Sequence, residues 1–106
     1  MEEKMKYDED KVDISLIPTT ALRGVAKVFE YGATKYAPFD WAYDGPNTEW
    51  RRTYSSIQRH LHSWLECEDI DPESGLDHLS HACTQLLILI VHQKHKEMDN
   101  RCKNLK

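Results

Sequence analysis

The stretch "LDHLSHACTQLLILIVH" (76–92) constrains this chain more than any other. At about 100° per residue, Leu76, Leu79, Cys83, Leu86, Leu87 and Ile90 fall on one side of a helix, which predicts an ordinary core face. Ile88 and Leu89 point elsewhere, so a second face is apolar too. Between them runs a polar row of His78, His81, Gln85 and His92. A chain of 106 residues buries only part of the surface its unfolded form exposes, and one such chain cannot cover a helix on two faces. The expectation is a helical bundle completed by oligomerisation, as a dimer or a tetramer built from two dimers. A buried polar group without a partner costs about 1–3 kcal/mol, so the polar row also marks a candidate site.

The remaining segments read as follows. Residues 1–10, "MEEKMKYDED", are polar and expected to be disordered. "KVDISLIP" (11–18) reads as an extended arm, ended by Pro18, which biases Ile17 away from the helical region. Thr19 or Thr20 caps a first helix to about Tyr36, with Leu22, Val25, Phe29, Gly32 and Tyr36 as its apolar stripe. "APFDWAYDGPN" (37–47) is a loop broken by Gly-Pro. A second helix spans about 49–66, with Tyr54, Ile57, Leu61, Trp64 and Leu65 on one face. The third starts near Asp71-Pro72 and runs to roughly Met98, with residues 99–106 a basic, frayed tail. Strand signals are scarce. The predicted fold is all-α: three main helices with an extended N-terminal arm, forming one domain over residues 11–98.

A net charge of −4 argues against a nucleic-acid coat, which needs a basic face. Basic residues are nevertheless clustered at Arg23, Lys27 and Lys35, and again at Arg51, Arg52 and Arg59, which suits a local anion site. Cys67, Cys83 and Cys102 show no CxxC spacing and read as free thiols in a reducing compartment. No signal peptide opens the chain, and "LLILIV" is far too short to cross a bilayer. A cytoplasmic protein is expected.

The chemistry concentrates in "LECEDIDPESGLDHLSHA" (65–82). Asp71, Pro72 and Glu73 fit an ordinary helix start, and Glu66, Glu68 and Asp69 fit a solvated charge run. His78 and His81, three apart, share a helix face and are able to ligate one ion. The nearby carboxylates strengthen that reading, and Asp77 is placed to orient the His81 ring. A mixed imidazole and carboxylate set suits Mn²⁺, whereas Mg²⁺ leans on oxygen ligands and water. On the second helix, His60 sits at the edge of the apolar stripe within reach of the same ion. Arg59 is either a solvated arginine or a phosphate clamp. Glu30 and Lys35, in "VFEYGATKY", read on spacing alone as surface salt-bridge partners. His62, His92 and His95 read as surface or structural histidines. No P-loop and no nucleophile elbow is present.

The strings "KVDISLIPTTAL", "VFEYGATKYAPFDW" and "RRTYSSIQRHLHSWLECEDIDPESGLDHLSHA" together resemble the phage dATP/dGTP diphosphohydrolase N-terminal domain family. That family looks related to the MazG-like all-α nucleoside triphosphate pyrophosphohydrolases, and the resemblance covers about residues 11–92. MazG-like enzymes carry ExxE on one helix and ExxD on the next, which hold Mg²⁺ against a triphosphate. Here His60 and Ser63 stand where the glutamates belong, and His78 and His81 stand at the ExxD positions. Cys67 occupies a position where the family leads one to expect glycine. The resemblance implies a metal-dependent (deoxy)nucleoside triphosphate diphosphohydrolase of phage nucleotide metabolism, acting in the host cytoplasm. It would convert a purine dNTP to dNMP and pyrophosphate. The implied metal set, for Mg²⁺ or Mn²⁺, draws on His60, Glu68, Asp71, His78 and His81, the last four also carrying the catalysis. Lys35 and Arg59 would neutralise phosphates, Glu30 and Tyr36 would contact substrate, and Tyr31, Tyr36 or Trp41 would stack on the base. The alternative is a protein that holds a host signalling nucleotide without cutting it. The altered ExxE and ExxD positions favour this alternative.

Overall fold

The computed structural model describes residues 11–39 and 49–102, and within them the fold is all-α. Helix α1 spans Thr19–Lys35, α2 spans Trp50–Leu65 and α3 spans His78–His92. Short 3₁₀ turns lie at Ile14–Leu16 and Lys96–Met98. Helix α3 is the centre of the arrangement, packing most extensively on α2 and also on α1. The segment expected to be disordered (1–10) and most of the aromatic loop, with Trp41, lie outside the described residues.

The arm before α1 is not simply extended. Asp13 Oδ1 accepts from Ser15 N at 3.1 Å, and this local bond closes a 3₁₀ turn over Ile14–Leu16. Neither Thr19 nor Thr20 caps α1: Thr19 is already helical, Pro18 occupies the cap position, and no side chain supplies a cap bond there. The carbonyl of Pro18 accepts from Leu22 N at 3.1 Å, so the proline sits where its missing N–H costs nothing.

Helix α3 begins later than its sequence suggests. Gly75 takes a φ of +76° in the left-handed region, which no helix interior permits. The N-cap is therefore Asp77, not Asp71: Asp77 Oδ1 accepts from Ser80 N at 2.7 Å and Oδ2 from Ser80 Oγ at 2.8 Å. Helix α3 ends at His92, and Met98 belongs to the separate 3₁₀ turn. The tail beyond is anchored as far as Arg101. Asn100 Oδ1 accepts from Arg51 N at 3.0 Å at the start of α2, and the Arg101 guanidinium lies 4.8 Å from the Trp50 ring centroid.

The orientation of α3 is the main departure from expectation. The predicted core face is exposed in the single chain, with Leu79 at 43%, Leu86 at 47% and Ile90 at 58% accessibility. Cys83 and Leu87 are exposed as well, and Leu76 is half-buried. The face turned toward α1 and α2 instead buries His78, His81, Ala82, Thr84 and His92, against Val25, Val28, Trp50 and Ile57. Periodicity finds two stripes on this helix but cannot say which one its own chain covers. The α2 stripe is likewise split, with Ile57 buried and Tyr54, Trp64 and Leu65 exposed. Helices α1 and α3 approach closely at Gly24, where an added Cβ would lie 2.5 Å from Ser80 Oγ. Beside that contact, Thr84 Oγ1 donates to the Val25 carbonyl at 3.4 Å.

Candidate functional site

The site begins with the turn that ends α2. Cys67 has a φ of +73°, and two bonds close the turn: Cys67 N donates to Trp64 O and Glu68 N to Ser63 O, each at 2.9 Å. This is a Schellman arrangement, whose left-handed residue is ordinarily glycine. The position where resemblance leads one to expect glycine is thus the position whose backbone asks for it. The turn delivers the Glu68 carboxylate to His78, where His78 Nε2 donates to Oε1 at 2.8 Å.

The acidic string then folds back on itself. Asp71 N donates to Leu76 O at 2.8 Å, Gly75 N to Asp71 O at 2.7 Å, and His78 N to Asp69 O at 2.9 Å. Asp71 Oδ1 accepts from Glu73 N at 2.9 Å, which leaves Oδ2 facing His81 Nε2 at 3.7 Å. Ser74 Oγ accepts from Leu76 N at 3.1 Å and lies 2.6 Å from His81 Nε2. The residue that holds the His81 ring is therefore Ser74. Asp77, expected in that role, is occupied with capping α3.

Three side chains from three segments converge here. Donor atoms of His60 on α2, Asp71 in the loop and His81 on α3 all lie within 4.8 Å of one another. The His60 and His81 rings stack, and His60 Nδ1 lies 2.8 Å from His78 Nδ1. Burial lowers the pKa of His60, and the neighbouring His81 and His78 lower it further against the pull of Asp71. Burial is also the main cause lowering His81, aided by His78 and opposed chiefly by Asp71. Burial thus favours the neutral form of both rings, against the opposing pull of the Asp71 carboxylate. Two imidazoles and one carboxylate make a donor set for a transition ion. Donors sharing one ion at about 2.1 Å stand roughly 3–3.5 Å apart, closer than the 4.8 Å within which these three lie, so the stacked rings would have to rotate inward to hold it. The residues present fit a divalent metal.

Of the five candidate ligands, the structure brings His60, Asp71 and His81 into one cluster and sets His78 and Glu68 beside it as a bonded pair. The cluster opens into a cleft of about 1370 Å³ bounded by α1, α2, α3 and the loop. Lys35, Arg59, Glu30 and Tyr36 all line it. Lys35 Nζ lies 3.7 Å from Glu73 and 5.6 and 5.7 Å from the Tyr31 and Tyr36 ring centroids. Its pKa is raised, first by Tyr31 and then by Tyr36 and Glu73. Arg59 Nη1 donates to Ser55 Oγ at 3.0 Å along its own helix. Tyr36 is exposed, and Tyr31 is half-buried with its ring edge-on to His81 at 6.3 Å. Glu30 is exposed at the cleft wall. Ser74 carries no signal as a site residue in the sequence, because its hydroxyl reaches His81 only through the fold-back of the loop. Gln85, in the polar row, donates to Ser56 Oγ at 2.7 Å, and its buried Oε1 has no partner among the described residues.

Comparison with known proteins is decisive at the level of family. The family described as "dATP/dGTP diphosphohydrolase, N-terminal" matches residues 1–101. The chain belongs to this family. A relative from Salmonella phage PMBT28, named dATP/dGTP diphosphohydrolase, is 32% identical over 85 residues, covering 80% of this chain. The chain spans only 28% of the length of that relative. No solved structure matches the chain. Among the described residues no helix is long and apolar enough to cross a membrane.

Proposed function

We propose that this family member is a metal-dependent purine (deoxy)nucleoside triphosphate diphosphohydrolase, releasing a monophosphate and pyrophosphate. The observation that carries the reading is the convergence of His60, Asp71 and His81 in a cleft also lined by Lys35 and Arg59. The name of the Salmonella phage relative supports the purine dNTP assignment.

His60, Asp71 and His81 would hold the ion, with Mn²⁺ favoured over Mg²⁺ by the imidazole share of the set. Such an ion, when bound, supplies electrophilic assistance at a phosphoryl oxygen. Lys35 and Arg59 neutralise the remaining phosphate charge, and the exposed Tyr36 ring offers a face for the base. Water adds to the α-phosphorus, the bond from that phosphorus to the bridging oxygen breaks, and pyrophosphate leaves. The pure protein incubated with dATP, dGTP and their ribose counterparts, with Mn²⁺ or Mg²⁺, should release pyrophosphate. Intact nucleotide after prolonged incubation with either ion overturns the reading.

A second reading, retention of a nucleotide without cleavage, is favoured by one observation. The donor cluster contains a single carboxylate, Asp71, where two-helix carboxylate pairs are expected of the MazG-like enzymes. Tight binding in calorimetry with the nucleotide recovered unchanged would support it, and a host signalling nucleotide is the ligand class to include in that assay. We also infer a homo-oligomer, a dimer or tetramer, because the exposed α3 face of Leu79, Leu86, Leu87 and Ile90 is apolar and continuous at helical spacing.

A further inference from the structure

We propose that Glu68 and His78 are positioning residues that fix the His60 proton on Nδ1 and so leave His60 Nε2 bare as a metal donor. The proposal rests on the metal-dependent reading above and assigns the two residues of the acidic string that stand outside the donor cluster.

The argument is a chain of hydrogen-bond roles. A carboxylate only accepts, so the bond of 2.8 Å between Glu68 Oε1 and His78 Nε2 places a hydrogen on that nitrogen. Where the ring carries a single N–H, that hydrogen is the one on Nε2, and His78 Nδ1 is an acceptor. His60 Nδ1, at 2.8 Å from it, must then donate. The remaining nitrogen of His60, Nε2, keeps its lone pair. Reversing the first bond reverses every later one, because each ring passes its single hydrogen choice to the next.

The fold holds both ends of this relay. The Schellman turn at Cys67 fixes the Glu68 backbone through Ser63 O, and His78 is fixed by its own N–H on Asp69 O. The His78 side chain is 5% exposed, so water does not compete for its nitrogens, while Glu68 at 51% keeps its far side solvated. Both nitrogens of His78 are committed. It does not ligate while the relay stands, which separates its role from that of His81 one turn later. Outer residues of this kind commonly set ligand orientation and tautomer at metal centres.

The test reads the tautomer without metal or nucleotide. Full-length protein labelled with ¹⁵N-histidine, at about pH 8 where imidazoles are ordinarily neutral, is measured by long-range ¹⁵N–¹H correlation. His60 is expected as the Nδ1–H form and His78 as the Nε2–H form. Glu68→Lys replaces an acceptor with a donor at an exposed position and should convert His60 to Nε2–H. Mn²⁺ affinity, read by electron paramagnetic resonance, should then fall about 10- to 100-fold. A wild-type His60 in the Nε2–H form overturns the proposal, even where the variant fails to fold. So does a Glu68→Lys protein with His60 unchanged, or one with His60 converted and Mn²⁺ affinity intact. Failure of nucleotide hydrolysis with the expected tautomers would remove the hydrolase reading and leave the relay standing.

Discussion

The imidazole rings of His60 and His81 lie face to face, 4° from parallel with centroids 4.6 Å apart, although they come from different helices. Stacked and mostly buried, the two rings disfavour charge on each other. Both titrate below the ordinary imidazole value of 6.5, mainly through burial. The sign of the consequence follows from proton linkage. Below that value the unfolded chain binds protons that the folded chain still refuses, so stability rises with pH in this window. It is fully present above about pH 6.5 and is lost as pH falls through the lowered values. Urea midpoints taken in chelator from pH 8 to pH 5.5 should decline below 6.5, and His60→Asn should flatten the decline. A midpoint that climbs on acidification contradicts the assignment.

His81→Ala should remove metal-dependent turnover and binding while the helices persist. The ring contributes a donor to the cluster, and its loss leaves only His60 and Asp71. A core histidine without a metal role would instead lower stability and leave nucleotide binding unaltered. Melting temperature measured beside nucleotide binding, with and without Mn²⁺, separates the two outcomes. Ser74→Ala should keep the donor but loosen its ring, giving a smaller loss of Mn²⁺ affinity than His81→Ala.

Cys67→Gly should stabilise the protein. An L-residue in the left-handed region costs about 1–2 kcal/mol, and Cys67 sits there at a φ of +73°. Glycine removes that strain while adding about 0.5–1 kcal/mol of unfolded-chain entropy. The net gain expected in urea denaturation is roughly 0.5–1 kcal/mol. The His78–Glu68 bond should be unaffected, because the turn itself is retained.

How much of this was legible in the sequence differs between helix and loop. Helices α1 and α2 fall close to their predicted bounds because their apolar residues recur at helical spacing and Pro18 marks the start of α1. The i, i+3 spacing of His78 and His81 put both on one face, and the structure turns that face toward His60. What periodicity could not show was direction: α3 has two stripes, and the polar one faces the other helices of its own chain. Nor could spacing separate the roles of the two histidines. That depends on Gly75, which delays the helix, moves the cap from Asp71 to Asp77, and frees Asp71 and Ser74 to face His81. The Glu68 bond to His78 likewise depends on the turn at Cys67, a backbone conformation that residue identity alone disfavours.

Gly24→Ala should destabilise the chain despite the better helix propensity of alanine. Its Cβ would lie 2.5 Å from Ser80 Oγ and 3.7 Å from Asp77 Oδ2, against the capping unit of α3. Overpacking of this kind costs about 1–3 kcal/mol, and the propensity gain of about 1 kcal/mol offsets part of it. The urea midpoint should fall for Gly24→Ala and recover in the double variant with Ser80→Ala only in part, since that change also removes the Ser80 Oγ bond to Asp77. A single variant as stable as the wild type would mean that α1 and α3 are further apart than described.

The exposed face of α3 makes the strongest claim on a second copy of the chain. Leu86 at 47% and Ile90 at 58% accessibility stand one turn apart, with Leu87 at 39% and Val91 at 41% beside them. Solvating these side chains forgoes roughly 25 cal/mol for each Å² of apolar surface. Pairing two such faces recovers that energy without disturbing the histidine row, which lies toward α1 and α2. Light scattering at micromolar concentration should therefore give a multiple of the 12.5 kDa chain mass. Leu86→Lys with Ile90→Lys should reduce the assembly to single chains, since charges placed on an apolar contact lose their hydration. Wild-type protein that scatters as a monomer removes the basis for the claim. A lysine variant that still assembles places the contact on another face, such as the exposed Tyr54, Trp64 and Leu65 of α2.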